Sequence, residues 1–329
     1  MILKKYIFFF FYIISFLILS SGCSSSVDDD KEPAYENIYE VKFSIFFEGS
    51  WSLKSDDKGN EDLKPYVGDY MKKGIGRHIF RIYKANEVST GTIPVVSYEF
   101  EISLEEGSYD FSIYASLPEG DYIVKTWTDF RETSESIPYY DVSKFPNVSL
   151  DHHSVLTGFQ DAYRGSQSFR VDKDTSSVEI IMERPLGRYL LICEDYMDLL
   201  KENCFEEDDI RIFVFYTGFY PHSYSVINDR LIDSITGEYF IISPVVLSDG
   251  SAIVAADFFL INELVSSVGL ELKMVNKENK VVAASEVITL PITRNEITIA
   301  KGILLKMSSG EQGSFDMDTG FEGDFIIKY

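Results

Sequence analysis

Hydrophobic and polar residues alternate one by one along most of the chain. Residues 41–47 carry Val, Phe, Ile and Phe at the odd positions, with Lys and Ser at the first two even positions. Residues 96–103 and 109–116 repeat this period of two. Such a period, with one polar face, predicts antiparallel strands that bury the other face. Further strand-like segments follow at 121–127, 178–182, 210–216, 270–274, 297–299 and 325–329.

Turn-forming residues separate these segments. Pro118 and Gly120 predict a tight turn, because proline presets one turn dihedral and glycine accepts a positive φ. Residues 276–279 predict a second turn. A helical pattern is found over residues 194–203, where Tyr196, Leu199 and Leu200 fall on one side. Many short strands with almost no helix predict an all-β fold of sandwiches or barrels.

The first residues form a lipoprotein signal. Lys4 and Lys5 precede an apolar run over 6–19, which ends at the sequence Ser-Ser-Gly-Cys-Ser around Cys23. The run is shorter than a membrane span of about 20 residues, and small residues precede the cysteine. We therefore expect residues 1–22 to be a signal peptide. We expect Cys23 to be acylated, with palmitate among its acyl chains. The alternative is an uncleaved N-terminal anchor helix.

Residues 23–34 predict a lipidated, acidic tether. Their polar, acidic, proline-containing composition cannot bury a core. The run of Asp28, Asp29 and Asp30 resembles the acidic export tag of Bacteroidetes surface lipoproteins. That resemblance implies an outer-membrane lipoprotein that faces the cell surface, whereas the alternative is a plain acidic linker.

The charge and length restrict the function further. The chain has 329 residues, with 53 acidic and 30 basic ones, giving a net charge of −23. Nucleic-acid binding needs a basic patch and is disfavoured. The length predicts two domains, which we place at residues 35–184 and 185–329. Cys193 and Cys204 form a disulfide or remain free thiols, and the sequence leaves both open.

The sequence offers little support for catalysis. The four histidines, His78, His152, His153 and His222, lie in no zinc-protease or serine-hydrolase motif. Adjacent residues such as His152 and His153 point apart, which disfavours a metal site. We expect no enzyme activity, no cofactor and no metal.

Four short motifs carry a resemblance to a known family. They are the segments 139–145, 161–165, 183–189 and 321–325. Together they resemble the Bacteroidales surface lipoproteins of the fimbrillin superfamily, and in particular the minor subunits that anchor fimbriae. The resemblance implies two tandem transthyretin-like β-sandwiches and a lipidated precursor. It also implies fimbrial subunits of the same superfamily as partners, joined by donation of a β-strand.

Two features bear on the assembly that the resemblance implies. Stalk subunits of this superfamily are released by an arginine-specific protease, yet no arginine occurs between Cys23 and Arg77. This favours an anchor, an accessory subunit or an adhesin over a stalk subunit. The best candidate for a donor strand is the terminal, β-prone segment with Phe325, Ile326 and Ile327. The alternative is a last strand that pairs within its own domain.

A surface glycan-binding lipoprotein is the alternative function, with a polysaccharide or host ligand. Surface proteins hold sugars on exposed aromatic rings. Trp51 lies near a polar segment and is a candidate for this, whereas Trp127 lies in a strand and is expected in the core. Separately, Asp233-Ser234-Ile235 resembles the O-glycosylation acceptor of Bacteroides. It lies in the polar stretch 228–238, which we expect to be an exposed loop; the alternative is an unmodified serine.

Overall fold

The chain divides into two units, Met1–Glu36 and Asn37–Tyr329. The first unit lies outside the described residues, so the signal peptide, Cys23 and the tether stay predictions. No helix in the part of the chain described below is long and apolar enough to cross a membrane. The structure is a computed structural model, which describes residues 37–47, 63, 75–88, 91–103, 110–131, 140–150, 161–262, 265–307 and 323–328.

Strands dominate the first half of the larger unit. In the first strand the alternating Val41, Phe43, Ile45 and Phe47 are all buried, as their spacing predicts. The strands in order are β1 (Ile38–Phe47), β2 (Ile75–Lys84), β3 (Val96–Ile102), β4 (Asp110–Pro118), β5 (Gly120–Arg131), β6 (Tyr140–Asp141), β7 (Asn147–Leu150), β8 (Ala162–Val171) and β9 (Ser177–Glu183).

The second half continues in the same style. The predicted helix is confirmed as α1 (Tyr196–Glu202), which buries Tyr196, Leu199 and Leu200. The strands are β10 (Leu186–Cys193), β11 (Arg211–Tyr216), β12 (Phe219–Ser225), β13 (Arg230–Thr236), β14 (Tyr239–Ile242), β15 (Val245–Val246), β16 (Ala252–Leu260), β17 (Val265–Val275), β18 (Val281–Ala284), β19 (Ile288–Thr293), β20 (Ile297–Gly302), β21 (Lys306–Met307) and β22 (Gly323–Lys328).

Seven strands of the first half form one sheet in the order β3-β2-β5-β8-β9-β1-β4. β1 lies inside it, antiparallel to β4 and parallel to β9. β8 and β9 pair only at Arg164↔Glu183 and Gly165↔Met182. Phe43 of β1 and Phe80 of β2 are not sheet neighbours, yet their ring centroids lie 5.2 Å apart. The sheet therefore folds over, and two layers enclose an aromatic core.

The second half packs two sheets against each other. One has the order β15-β16-β10-β20-β22, and the other β14-β11-β17-β18-β21 with β19 beside β17. All eight residues of β10 and all nine of β16 are buried, because both strands lie inside the molecule. One hydrophobic cluster joins Leu191 of β10 to Ile212 of β11 and Leu272 of β17. The all-β class predicted from the sequence is confirmed.

A small sheet joins residues from both halves. Its order is β13-β12-β7-β6, and Val148 of β7 pairs with Tyr224 of β12. A core cluster beneath it contains Trp127 and Leu190 from the two halves. Trp127 is buried, as its position in a strand predicts. The division into domains 35–184 and 185–329 falls between β9 and β10 and stays a prediction.

The polar stretch around Ser234 was wrongly expected to be a loop. It forms β13, in which Ser234 pairs opposite Pro221 of β12. β13 is the edge strand of its small sheet, and none of its side chains is fully buried. Leu231 and Ile235 pack against the core clusters but are only partly buried, so the strand shows no clear hydrophobic alternation.

Candidate functional site

Two of the four motifs meet at a buried ion pair. The Arg184 guanidinium donates to Asp161 through Nε at 2.8 Å and through Nη2 at 2.9 Å. Both side chains are 0% exposed. Arg184 also donates to Asn295 Oδ1 at 2.7 Å and lies 4.6 Å from the ring centre of Tyr163. Asn295 lies in the turn between β19 and β20. The contacts of Arg184 with Asp161 and Asn295 therefore connect the start of β8 to this turn of the second half.

A second charged network lies on the other side of β8. Arg164 contacts Glu183 at 2.7 Å and Asp229 at 2.6 Å. Asp229 also accepts from Tyr224 and contacts Arg294 at 3.5 Å. Arg164 comes from the first half and Asp229 from the second. This network therefore also holds the two halves together.

Lys125 adds a buried cation near that network. It is 4% exposed, and its ammonium group donates to Ile227 O at 2.9 Å and to Ser166 Oγ at 2.6 Å. Burial, together with the charge of Arg164, lowers the pKa of Lys125 to about 8. Its bonds tie β5 to the turn after β12.

The glycines of the same motifs allow close packing. A Cβ on Gly165 would lie 2.7 Å from Met182 Sδ. A Cβ on Gly187 would lie 2.4 Å from Ile292 Cγ2 and 2.5 Å from Thr293 O. Either contact is too short for a real side chain. The motif residues around Asp161 and Arg184 thus serve packing and charge pairing inside the protein, not chemistry on a ligand.

A carboxylate with three tyrosines lies in the core of the second half. Asp257 accepts from Tyr216 at 2.6 Å and, with a longer bond, from Tyr220 at 3.4 Å. Tyr189 shares a hydrogen bond of 2.9 Å with Tyr216. Burial, and then the charge of Asp257, raises the pKa of all three tyrosines. These groups are buried, so the cluster supports the fold and is closed to a substrate.

The histidines within the described ranges form no metal centre. His78 is buried between Thr128 Oγ1 at 2.7 Å and Thr126 Oγ1 at 3.0 Å. Desolvation lowers the pKa of His78 to about 3, so the ring is neutral. His152 and His153 lie outside the described residues. In the part of the chain that the structure describes, no group of three His, Cys, Asp or Glu side chains could hold a metal ion.

A cleft of about 580 Å³ opens between β8 and β9, where their pairing ends. Arg164, Gln167 and Phe169 line one side, and Glu179 and Ile181 line the other. The lining residues include no histidine, cysteine or tyrosine. The guanidinium of Arg164 is already held by two carboxylates. Ser166 and Ser177 also line the cleft, and the Ser166 hydroxyl already accepts a hydrogen bond from the buried Lys125 ammonium.

One exposed and two half-buried aromatic rings lie on the outer face of the sheet that contains β11. We name Phe213, Phe215, Tyr239 and Ile241 the aromatic surface. The three ring centroids lie 5.5–6.2 Å apart, and the ring planes differ by 14–26°. The ammonium of Lys273 lies 4.7 Å from the centre of the Phe215 ring. Tyr239 is 53% exposed on the edge strand β14.

This surface was not predicted from the sequence, where Trp51 was the residue named as a candidate for stacking on sugars. Trp127 is buried, and Trp51 lies outside the described residues. The signal was present in β11, where Phe213 and Phe215 occupy the positions opposite to the buried ones. A strand with large apolar residues on both faces must either be covered or present a binding surface.

The predicted donor segment pairs within its own chain in the structure. β22 runs antiparallel to β20, with Phe325 opposite Ala300, Ile326 opposite Ile299 and Ile327 opposite Thr298. It occupies the edge of the five-stranded sheet. The alternative arrangement, a last strand within its own sheet, is therefore the one found in the single chain.

The remaining candidate residues lie apart from one another. Cys193 is buried and Cys204 exposed, and both are free thiols in the structure. The Cys193 thiol donates to Asp195 Oδ1 at 3.2 Å, and burial raises its pKa to about 12. Ser234 is exposed on β13, so a modifying enzyme could reach its hydroxyl. Its glycosylation stays a prediction.

The sequence places this all-β protein in a known family. The chain belongs to DUF6562, a family of unknown function, whose model matches residues 56–328. No match is found among curated proteins.

Several solved structures resemble the chain. The fimbrial anchor protein Mfa2 from Porphyromonas gingivalis is 9% identical, with a TM-score of 0.42 over 80% of this chain and 90% of that chain. A DUF1812 protein from Bacteroides thetaiotaomicron, described as a candidate polysaccharide-binding protein, is 11% identical, with a TM-score of 0.44 over 83% and 100%. A fimbrial assembly protein from Parabacteroides distasonis is 8% identical, with a TM-score of 0.36 over 80% and 91%. At identities this low, the functions of these proteins are not assigned to this chain.

Proposed function

We propose that this chain is a non-catalytic, lipid-anchored protein of the outer cell surface that acts as a fimbrial anchor, accessory subunit or adhesin. The lipoprotein signal at Cys23 and the motif resemblance support this proposal. The observation that supports the assembly step is the position of β22 at the edge of its sheet, where it pairs only with β20 among the described strands.

The pairing of β22 suits an exchange of strands. Its ladder with β20 runs from Ile297↔Lys328 to Gly302↔Gly323. On its other side β20 stays paired with β10, from Arg188↔Ile297 onward. Release of β22 therefore leaves β20 in place with an open edge. A strand from a partner could then form the same main-chain hydrogen bonds, while β22 joins a sheet of another subunit.

The position of β1 supports an anchor rather than a stalk subunit. β1 is hydrogen-bonded on both sides, to β4 and to β9, and its inward side chains are buried. Loss of β1 would expose the core around Phe43. Because no arginine lies between Cys23 and Arg77, β1 stays joined to the acylated cysteine. Two or three acyl chains would then hold the body stably at the membrane.

Truncation of the last strand tests the assembly step. Deletion of residues 323–329 should abolish co-purification with fimbrial subunits, because the donor strand is missing. Lys328→Ala is the matched control, since it keeps the whole strand backbone and its pairing. Unchanged recovery of partners by a truncated, folded protein would show that this strand does not couple subunits.

Glycan binding is the second candidate function. The aromatic surface favours it, since the exposed Tyr239 and Ile241 adjoin two half-buried phenylalanines, and a contiguous apolar patch often marks a binding site. This role is compatible with surface anchoring and does not depend on strand exchange.

A further inference from the structure

The aromatic surface is arranged as two parallel rows across three strands. In one row Ile241, Phe213 and Lys273 are direct neighbours on β14, β11 and β17. In the other row Tyr239, Phe215 and Glu271 are neighbours in the same way. Residues directly opposite in antiparallel strands project from the same face. Two columns of apolar side chains thus lie beside one column with a cation and a carboxylate.

The rings present their apolar area to solvent. Tyr239 is 53% exposed and Ile241 is 46% exposed. Phe213 and Phe215 are half-buried beside them on β11. The three ring centroids are 5.5–6.2 Å apart, and the ring planes are nearly parallel. This surface extends across three neighbouring strands of one sheet. It therefore suits a long polymer that touches several side chains weakly better than a small ligand that must be enclosed.

The charge of this surface points to an uncharged ligand. Lys273 and Glu271 form an ion pair at 3.5 Å, so the charged column is balanced. The whole chain carries a net charge of −23. A second copy of the chain, another acidic protein or an anionic polymer would be repelled by that charge. A neutral ligand avoids the repulsion and matches the balanced surface.

We propose that the aromatic surface binds a neutral polysaccharide; this inference rests on the second candidate function, glycan binding. The C–H faces of pyranose rings pack on Tyr239, because aromatic faces carry partial negative charge. Phe215 supports the Tyr239 ring from 5.5 Å and has the Lys273 ammonium over its own face. Sugar hydroxyls accept from the Lys273 ammonium and donate to the Glu271 carboxylate. The ion pair thus supplies a donor and an acceptor beside the apolar columns.

Affinity electrophoresis of the purified full-length protein tests this site. Native gels contain arabinoxylan, galactomannan or dextran as neutral probes, and polygalacturonate as the acidic one. At least one neutral polymer should retard the wild type, with little dependence on salt, because no net charge is neutralised. Tyr239→Ala and Phe215→Ala should each weaken retardation roughly tenfold. Tyr114→Ala is the control, since Tyr114 is a comparably exposed tyrosine (55%) on β4 of the other half.

Four outcomes would overturn the proposal. They are no retardation by any neutral polymer, equal loss in Tyr114→Ala, retardation by polygalacturonate alone, and self-association by light scattering that disappears in Tyr239→Ala. The last outcome would assign the surface to protein contacts. Circular dichroism of each variant shows that the fold is kept. Loss of glycan binding leaves the strand-exchange test at residues 323–329 unaffected, so the two functions fail separately.

Discussion

The buried pair of Asp161 and Arg184 gives the sharpest stability prediction. In Asp161→Ala the Arg184 guanidinium loses two charge-assisted hydrogen bonds, of 2.8 and 2.9 Å, while it stays fully buried. Tyr163 loses a further bond of 3.3 Å to the same carboxylate. The variant therefore leaves a cation inside the protein without its counter-charge.

The expected loss of stability is large. Removal of one partner from a buried ion pair costs about 3–5 kcal/mol, because the other charge remains desolvated. Arg170 and Asp121 provide a matched exposed pair, at 3.2 Å with side chains 58% and 66% exposed. Asp121→Ala should cost less than about 1 kcal/mol, since water screens that pair.

Urea denaturation measures both variants. Far-UV circular dichroism follows the strands, and fluorescence follows the buried Trp127. The double variant Asp161→Ala, Arg184→Met should be more stable than Asp161→Ala alone, because no buried charge then lacks a partner. The reasoning is refuted if Asp161→Ala loses no more stability than Asp121→Ala, or if the second substitution restores nothing.

The remaining predictions concern single groups. At pH 8, iodoacetamide should alkylate the exposed Cys204 of the folded protein and spare Cys193 until the protein unfolds, because burial raises the pKa of Cys193 to about 12. If neither cysteine reacts before a reductant is added, the two cysteines form a disulfide. The folded-state pKa of Lys125 is about 8, below its ordinary value of 10.5, so the unfolded chain binds more protons between these values. Stability should therefore rise with pH through this window relative to Lys125→Met, and identical pH slopes in urea titrations would contradict this. Intact-mass spectrometry of the native protein should show a glycan that disappears in Ser234→Ala, and an unmodified mass would exclude it.

The sequence alone identified strands with a clear alternation, such as β1, β4 and β11, and the face that each of them buries. In β3, which was predicted in the same way, Tyr98 and Phe100 of the apolar face are exposed. Period-two alternation is local, so Val41, Phe43 and Ile45 indicate both β1 and its buried side without any knowledge of its neighbours. The helix α1 follows for the same reason, from the spacing of Tyr196, Leu199 and Leu200. Composition likewise disfavoured nucleic-acid binding before any contact was known.

Only the tertiary structure decided what each strand lies beside. β1 is flanked by β4 and β9, and Asp161 meets Arg184 across 23 residues, through pairings that no local pattern encodes. The edge strand β13 only partly buries Leu231 and Ile235, so its sequence shows no clear alternation. The aromatic surface depends on Phe215 and Tyr239 becoming neighbours across two strands. Such contacts depend on sheet order and register, which long-range packing fixes after the local pattern has chosen the strands.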